Sequence, residues 1–282
     1  MTRHPEPTVQ RWTAFTDDPD GGNPAGVVIG AEALDEVDMQ RIAAEVGYSE
    51  TAFVVGEGRR RGIRYFSPVA EVPFCGHATV ASAVALAGSE GDGEFGFATP
   101  VGDISITTRS EAGVRTASFT SVEPYVEQLG DRALDAVLSL IGARRADLDP
   151  RHRPMIAFAG NRHPLVVLAD AGLFDTFAFD PASARTLMDA EGWPATIIVL
   201  RDLGGGRWDA RNIFPVGALS EDPATGAAAA ATGGYLRATG AIDPPARVVI
   251  TQGRHVGRPG VLTVDVPSTG GITVSGAAVR IG

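Results

Sequence analysis

Lysine is absent from this chain: all 24 of its basic residues are arginines. That absence excludes Schiff-base catalysis, anchoring of pyridoxal phosphate and the lysine of a phosphate-binding P-loop. Cysteine is almost as scarce. Cys75 stands alone, so no disulfide forms within the chain, and a cytoplasmic protein is expected. Long apolar runs are missing, since none approaches the ~18 residues of a membrane span, and residues 1–20 are too polar for a signal-peptide core. Positive charge is thin: the net charge is −10. The only basic cluster is RRRGIR at 59–64, expected as a solvated hairpin turn, so nucleic acid is not an expected partner. Metal-ligand spacing is also lacking. His4, His77, His152, His163 and His255 are scattered, no two lie four apart on a helix, and no zinc motif occurs. His152 and His163, beside arginine in RHRP and NRHP, are expected in exposed loops. LGGGRW at 203–208 has no helix behind it and is expected to turn one strand into the next.

What is present is a globular composition that repeats itself. With 282 residues, 44% hydrophobic and 21% charged, the chain can bury a sizeable core as one large domain or two ordinary ones. GGNPAGVVI at 21–29 matches AGNRHPLVVL at 159–168, and GYSETAFVV at 47–55 matches GWPATIIVL at 192–200. FSPVAEVPFCGHATVASAVAL at 66–86 matches FPVGALSEDPATGAAAAATGGYL at 214–236. The matches keep their order at offsets of about 140 to 147 residues, close to half the chain, which predicts two structurally similar halves. The expected division is 1–124 and 125–282, with the last ~20 residues adding strand to one half.

Within each half the pattern specifies elements. Residues 34–47 place Leu34, Val37, Ile42 and Val46 near one helical face and end at Gly47 as a C-cap. In contrast, Thr79–Ala87 and Ala227–Leu236 are small or apolar all round, which suits helices enclosed on every side. Strand-like runs surround them at 8–15, 25–30, 52–55, 62–66 and 104–108, then at 155–158, 165–168, 196–201, 248–250 and 261–266. The expected architecture is α+β: two pseudo-symmetric halves, each a barrel-like, mostly antiparallel sheet around a central helix. The starts of the two helices would then face one cleft, where N–H groups near Gly76 and Gly226 could hold a small carboxylate without a basic side chain.

FTDDPDGGNPAGVV, SETAFV, FSPVAEVPFCGHAT, EDPATGAA and GRHVGRPG, spread over residues 15–260, together resemble the PhzF-like phenazine-biosynthesis family of the diaminopimelate epimerase fold. The resemblance implies a homodimer, no cofactor, and isomerisation by proton movement on a small carboxylate-bearing substrate. It places a catalytic glutamate on Glu50 and a substrate-contacting acid on Asp222. The half-to-half comparison marks Glu50 independently, because its counterpart is Ala195 and a purely structural carboxylate would be expected in both halves.

The expected catalytic set is Glu50, His77 and Asp222, converging on one cleft. Histidine is the usual proton-handling side chain, and Asp222 also reads as a helix cap before proline. Asn23, Gly76, Ala78, Thr79, Thr225, Gly226 and Ala227 are the expected substrate-binding positions, with backbone N–H groups near Gly76 to Thr79 and Thr225 to Gly226 holding the carboxylate and stabilising enolate-like charge. Two-thiol racemases of this fold carry one cysteine per half. The second half here has none, so Cys75 is expected as a buried neighbour of the site. Ala227 stands where the family often has serine. Racemisation at an α-carbon and non-catalytic carboxylate binding remain as alternatives.

Overall fold

The computed structural model describes residues 8–215 and 220–282. His4 and residues 216–219, part of the third repeated segment, lie outside the described residues. The chain is mixed α+β and divides into two compact units, Met1–Phe119 with Ser275–Gly282, and Thr120–Val274.

The first unit contains β1 (Val9–Ala14), β2 (Asn23–Ile29), α1 (Glu36–Val46), β3 (Glu50–Val55), β4 (Arg60–Phe66) and β5 (Glu71–Val72). It continues with α2 (Gly76–Glu90), β6 (Gly93–Thr99), β7 (Gly102–Glu111) and β8 (Val114–Thr120). Pairing runs β1 antiparallel to β2, β2 parallel to β3 and β3 antiparallel to β4. It goes on with β4 antiparallel to β5 and parallel to β6, then β6, β7 and β8 antiparallel in turn. The chain's last strand (Thr273–Arg280) pairs with β8 and with β1, so this sheet closes on itself. A parallel β2–β3 step requires a crossover, which α1 supplies.

Helix α2 lies against β1, β2, β3 and β7, and is buried without a break from His77 to Ala87. Small side chains permit this close fit, and Ser82 returns its hydroxyl to Ala78 O at 2.7 Å so that no polar atom is stranded. Helix α1 is capped by Asp35, which accepts from Asp38 N, and ends at Gly47 with φ 72°. Its buried face is Met39, Ile42 and Ala43, with Leu34 and Val46 partly covered. Val37, expected on that face, is 77% exposed. Helical turns begin only at Glu36, and the i, i+3, i+4 stripe through Met39 leaves Val37 outside.

The second unit contains β9 (Tyr125–Gln128), α3 (Asp131–Leu140), β10 (Met155–Phe158), β11 (Arg162–Val167), α4 (Ala171–Thr176) and α5 (Pro181–Glu191). Then come β12 (Ile197–Gly204), β13 (Arg207–Ile213), β14 (Glu221–Asp222), α6 (Gly226–Ala238), β15 (Ala246–Gln252) and β16 (Gly260–Val266). Here β9, β10 and β11 are antiparallel, β11 is parallel to β12, and β12 is antiparallel to β13. Strand β13 is antiparallel to β14 and parallel to β15, which is antiparallel to β16.

Helix α6 packs on β9, β10, β11 and β16. A Cβ at Gly233 would lie 2.8 Å from Val264 Cγ1, and one at Gly234 would lie 2.5 Å from Pro124 Cβ. Glycine inside a helix costs roughly 0.5–1 kcal/mol relative to alanine, and this contact distance is what it permits. A second core forms where Leu134, Val137 and Leu138 of α3 meet Met188 of α5 and Ile197 and Val199 of β12.

Several local expectations change. The hairpin turn lies at Gly56–Gly58, with φ 89° and 70° at the glycines, while Arg60 and Arg61 already belong to β4. Each arginine of the cluster is engaged: Arg59 donates to Glu90 O and Gly91 O, Arg60 meets Asp103, Arg61 meets Glu90, and Arg64 meets Glu71 and Glu36. His152 and His163 are buried rather than exposed. His163 Nδ1 sits 3.0 Å from Thr196 O, and burial takes its pKa down to about 4. The LGGGRW turn does join β12 to β13, with positive φ at Gly204, Gly205 and Gly206. No helix among the described residues is long and apolar enough to cross a membrane.

Candidate active site

In the first unit, chain geometry brings three reactive side chains together. The αL turn at Gly47 ends α1 and sends the chain into β3, whose first residue, Glu50, is in register with Ala25 of β2. Further on, Cys75 is the extended N-cap of α2, and His77 sits in that helix's first turn. The Glu50 side chain is 14% exposed and that of His77 8%. Glu50 Oε2 lies 3.4 Å from His77 Nε2, and Cys75 Sγ donates to Glu50 Oε2 at 3.5 Å. Sγ is also 3.4 Å from His77 Nδ1 and 3.7 Å from Nε2. Ser49 Oγ is 3.3 Å from His77 Nε2.

Burial pushes the Glu50 carboxyl above its ordinary value of 4.5, and hydrogen bonds from Ser49 and Cys75 oppose that rise only in part. A carboxyl whose proton affinity is raised is a stronger base when ionised and so a better group for taking and returning a proton. Glu50 and His77, expected together, are therefore in contact, and Cys75 touches both of them.

The first turn of α2 is locked from behind. Thr79 N donates to Cys75 O at 3.1 Å and Thr79 Oγ1 to the same oxygen at 2.6 Å, while Tyr65 Oη lies 2.7 Å from Thr79 Oγ1. Thr79 is fully buried, so it fixes the turn, and the N–H groups of Gly76, His77 and Ala78 precede the regular helical bonds. Asn23, 1% exposed, starts β2 opposite Ala14. Gly22 before it has φ 58°, and a Cβ there would come within 2.3 Å of Ala14 O. Only glycine accommodates that approach.

In the second unit, Asp222 pairs with Asn212 across β13 and β14 and is 7% exposed. Thr225 Oγ1 donates to Asp222 Oδ2, while Gln252 Nε2 donates to Asp222 O at 2.6 Å and to Thr225 Oγ1 at 3.1 Å. Gln252 Oε1 accepts from Thr225 N at 3.2 Å and from Asn212 Nδ2 at 3.1 Å. The Thr225 N–H, expected to meet substrate, is therefore occupied by Gln252. Asp222 does not cap α6 directly, since the N-cap is Thr225 and carries no side-chain cap bond. Gly226 is buried and Ala227 partly exposed in the first turn of α6. Gly253, with φ 85°, holds the GRHVGRPG turn close: a Cβ there would lie 2.4 Å from Pro223 O.

Sequence reasoning missed Ser49, Tyr65, Asn212 and Gln252. Ser49 was adjacent to a chosen residue, but Gln252 reaches Asp222 only through strand pairing, which leaves no local signal. Among the described residues one group of three metal-capable donors occurs: Glu50, Cys75 and His77, with ligand atoms within 4.8 Å of one another.

Residues 12–281 match the family model for the phenazine biosynthesis-like PhzC/PhzF proteins. The uncharacterized isomerase YddE of Escherichia coli O157:H7 is 30% identical, covering 97% of this chain and 96% of that one. The trans-2,3-dihydro-3-hydroxyanthranilate isomerase of Pseudomonas chlororaphis is 31% identical over 88% of this chain and 86% of its own. In structure, the Bacillus anthracis phenazine biosynthesis protein of the PhzF family superposes with a TM-score of 0.84 at 26% identity, over 97% and 96% of the two chains.

Proposed function

The chain belongs to the PhzC/PhzF family of phenazine biosynthesis-like proteins, and we propose that it is an isomerase that moves a proton on a small carboxylate-bearing substrate without a cofactor. Glu50 is the single acid/base. The observation that carries this reading is a largely covered carboxyl, its pKa raised by desolvation, in contact with His77 and beside the first turn of α2. Glu50 removes a proton from carbon and returns it at another carbon. His77 orients the substrate's polar group, and the N–H groups at Gly76 to Ala78 stabilise the enolate-like charge that develops between the two steps. Asp222 and the start of α6 contribute to substrate binding, with Asn23 and Gly226 as further contacts.

Isomerase names among the relatives support the reaction class, and the trans-2,3-dihydro-3-hydroxyanthranilate isomerase makes a dihydro-hydroxyanthranilate the first substrate to test. The same reading includes two superposable halves, a homodimer and a cytoplasmic location. Light scattering on the purified chain tests the dimer.

The decisive assay follows deuterium uptake from solvent into a turned-over substrate. Glu50→Gln keeps size and hydrogen bonding but loses the base, so turnover falls by about 100-fold or more while binding survives. Cys75→Ala is mild on this reading. A second reading, racemisation at an α-carbon, is favoured by the Cys75 contact with Glu50 at 3.5 Å. It predicts the opposite pattern: loss in the alanine variant, retention in the glutamine variant, and interconversion of enantiomers.

A further inference from the structure

The acid that precedes α6 stands on a very short strand. Strand β14 is only Glu221 and Asp222, in register with Ile213 and Asn212 of β13, and so brief a pairing does little by itself to fix a side chain. Successive side chains leave a strand on opposite faces. Asp222 meets Thr225, while Glu221 meets Arg211. Arg211 Nε donates to Glu221 Oε2 at 3.1 Å, and its Nη2 donates to Oε1 of the same carboxylate. Its Nη1 donates to Phe174 O and Phe177 O at 3.0 Å each, where α4 ends, and its guanidinium carbon lies 3.5 Å from the centre of the Phe177 ring. Both side chains of the pair are 7% exposed. We infer that Arg211 is a positioning residue for substrate binding: through Glu221 it sets the direction from which Asp222 meets the substrate.

A matching pair in the first unit is solvated. Tyr65 and Phe66 of β4 are in register with Val72 and Glu71 of β5, so Arg64 and Glu71 stand in the same strand positions as Arg211 and Glu221. They make the same two-pronged contact, Nε to Oε1 and Nη2 to Oε2 at 2.7 Å each, but are 36% and 31% exposed. The residue after Glu71 is Val72, which has no polar group to aim. Of these two pairs, the buried one is the one whose next residue is an acid. Burying an ion pair costs desolvation that the pairing at best repays, and apolar residues of similar volume often stabilise as well or better. What the buried contact adds is direction, because the planar guanidinium fork and the carboxylate must align. The bonds to Phe174 O and Phe177 O tie that fork to a second element, so Glu221 cannot turn without breaking them. This role of Arg211 rests on the assignment of Asp222 to substrate binding.

Steady-state kinetics on trans-2,3-dihydro-3-hydroxyanthranilate test the role, with urea unfolding alongside to read stability separately. Arg211→Met combined with Glu221→Leu removes both charges at similar volume and leaves no unpaired buried ion. The expected result is KM raised by about fivefold or more with kcat within about twofold, and no further rise when Asp222→Asn is added. Arg64→Met with Glu71→Leu leaves KM within about twofold. If the Arg211 and Glu221 double variant does not fold, Arg211→Lys keeps the charge, loses the second prong and raises KM by about threefold in the same cycle. Without substrate, hydrogen exchange across residues 221–226 speeds by about tenfold or more in the double variant and is unchanged in the Arg64 and Glu71 variant. A normal KM in the folded variant, a fully additive rise with Asp222→Asn, an equal rise from the first-unit pair, or unchanged exchange overturns the positioning role. An unchanged KM in Asp222→Asn itself instead sinks the assignment of Asp222, and the role of Arg211 with it.

Discussion

The starts of α2 and α6 are built from the same backbone idea and opposite side-chain chemistry. Each enclosed helix follows a two-residue strand and begins with an extended N-cap and a glycine, Cys75–Gly76 in one and Thr225–Gly226 in the other. Around Cys75 are a carboxyl, a thiol and an imidazole in mutual contact. Around Thr225 are amides and a hydroxyl, with Gln252 bonded to Asp222, Thr225 and Asn212 at once. The first arrangement can exchange protons. The second spends its polar groups on one another, which suits holding a shape. The two helix starts share an extended N-cap followed by glycine and differ in the side chains that surround them.

The largest expected effect tests that asymmetry directly. Set beside Glu50→Gln, with its loss of about 100-fold or more in turnover, Asp222→Asn should act mainly through KM, by about tenfold, because it weakens a charged hydrogen bond and removes no base. Steady-state kinetics on one substrate compare the two. Equal losses in kcat would erase the distinction.

Next is a contrast in pH dependence. The His163 imidazole, ordinarily near 6.5, has a folded-state pKa of about 4. The unfolded chain thus binds its proton first, so stability is complete above pH 6.5 and declines as pH falls toward 4, by about 3 kcal/mol from this group. Glu50 has the opposite sign. Its folded pKa lies above the ordinary 4.5, so stability is complete below 4.5 and declines as pH rises from there through the folded value. Urea unfolding between pH 4 and 8 should show His163→Gln flattening the acid side only. Glu50→Gln should be neutral below pH 4.5 and stabilising above it.

The smallest effect concerns the amide network. Gln252→Leu removes the acceptor of the Thr225 N–H and of Asn212 Nδ2, at a cost of about 1–3 kcal/mol. Hydrogen exchange should speed at the first turn of α6 and stay unchanged at the first turn of α2. Loss of protection at both would mean that the two networks are not independent.

Much of this was legible in residue order. Gly47 as a C-cap and the small-residue composition of α2 and α6 act within a few residues, where local sterics and periodicity speak directly. Helix α5 is not among the expected elements although its end signals are local, with Asp180 as cap, Pro181 at its first turn and Gly192 in the αL region. Val37 and the burial of His152 and His163 were not legible, because exposure depends on what other segments lay across those positions.

Sequence by itself determined the chemistry available: no lysine, one thiol, a mixed α+β chain with a repeated segment order, and the identity of a carboxyl lacking a counterpart. Tertiary structure alone decided what those groups are to each other. Glu50 and Cys75 come from different elements, and only β3 laid beside the start of α2 brings Sγ to 3.5 Å from Oε2. Gln252 likewise meets Asp222 only because β15 is parallel to β13, the strand that also carries β14. The physical reason is range. Backbone preference acts over a turn or two of chain, whereas desolvation of a carboxyl, and contact between three donors, exist only after distant segments have packed.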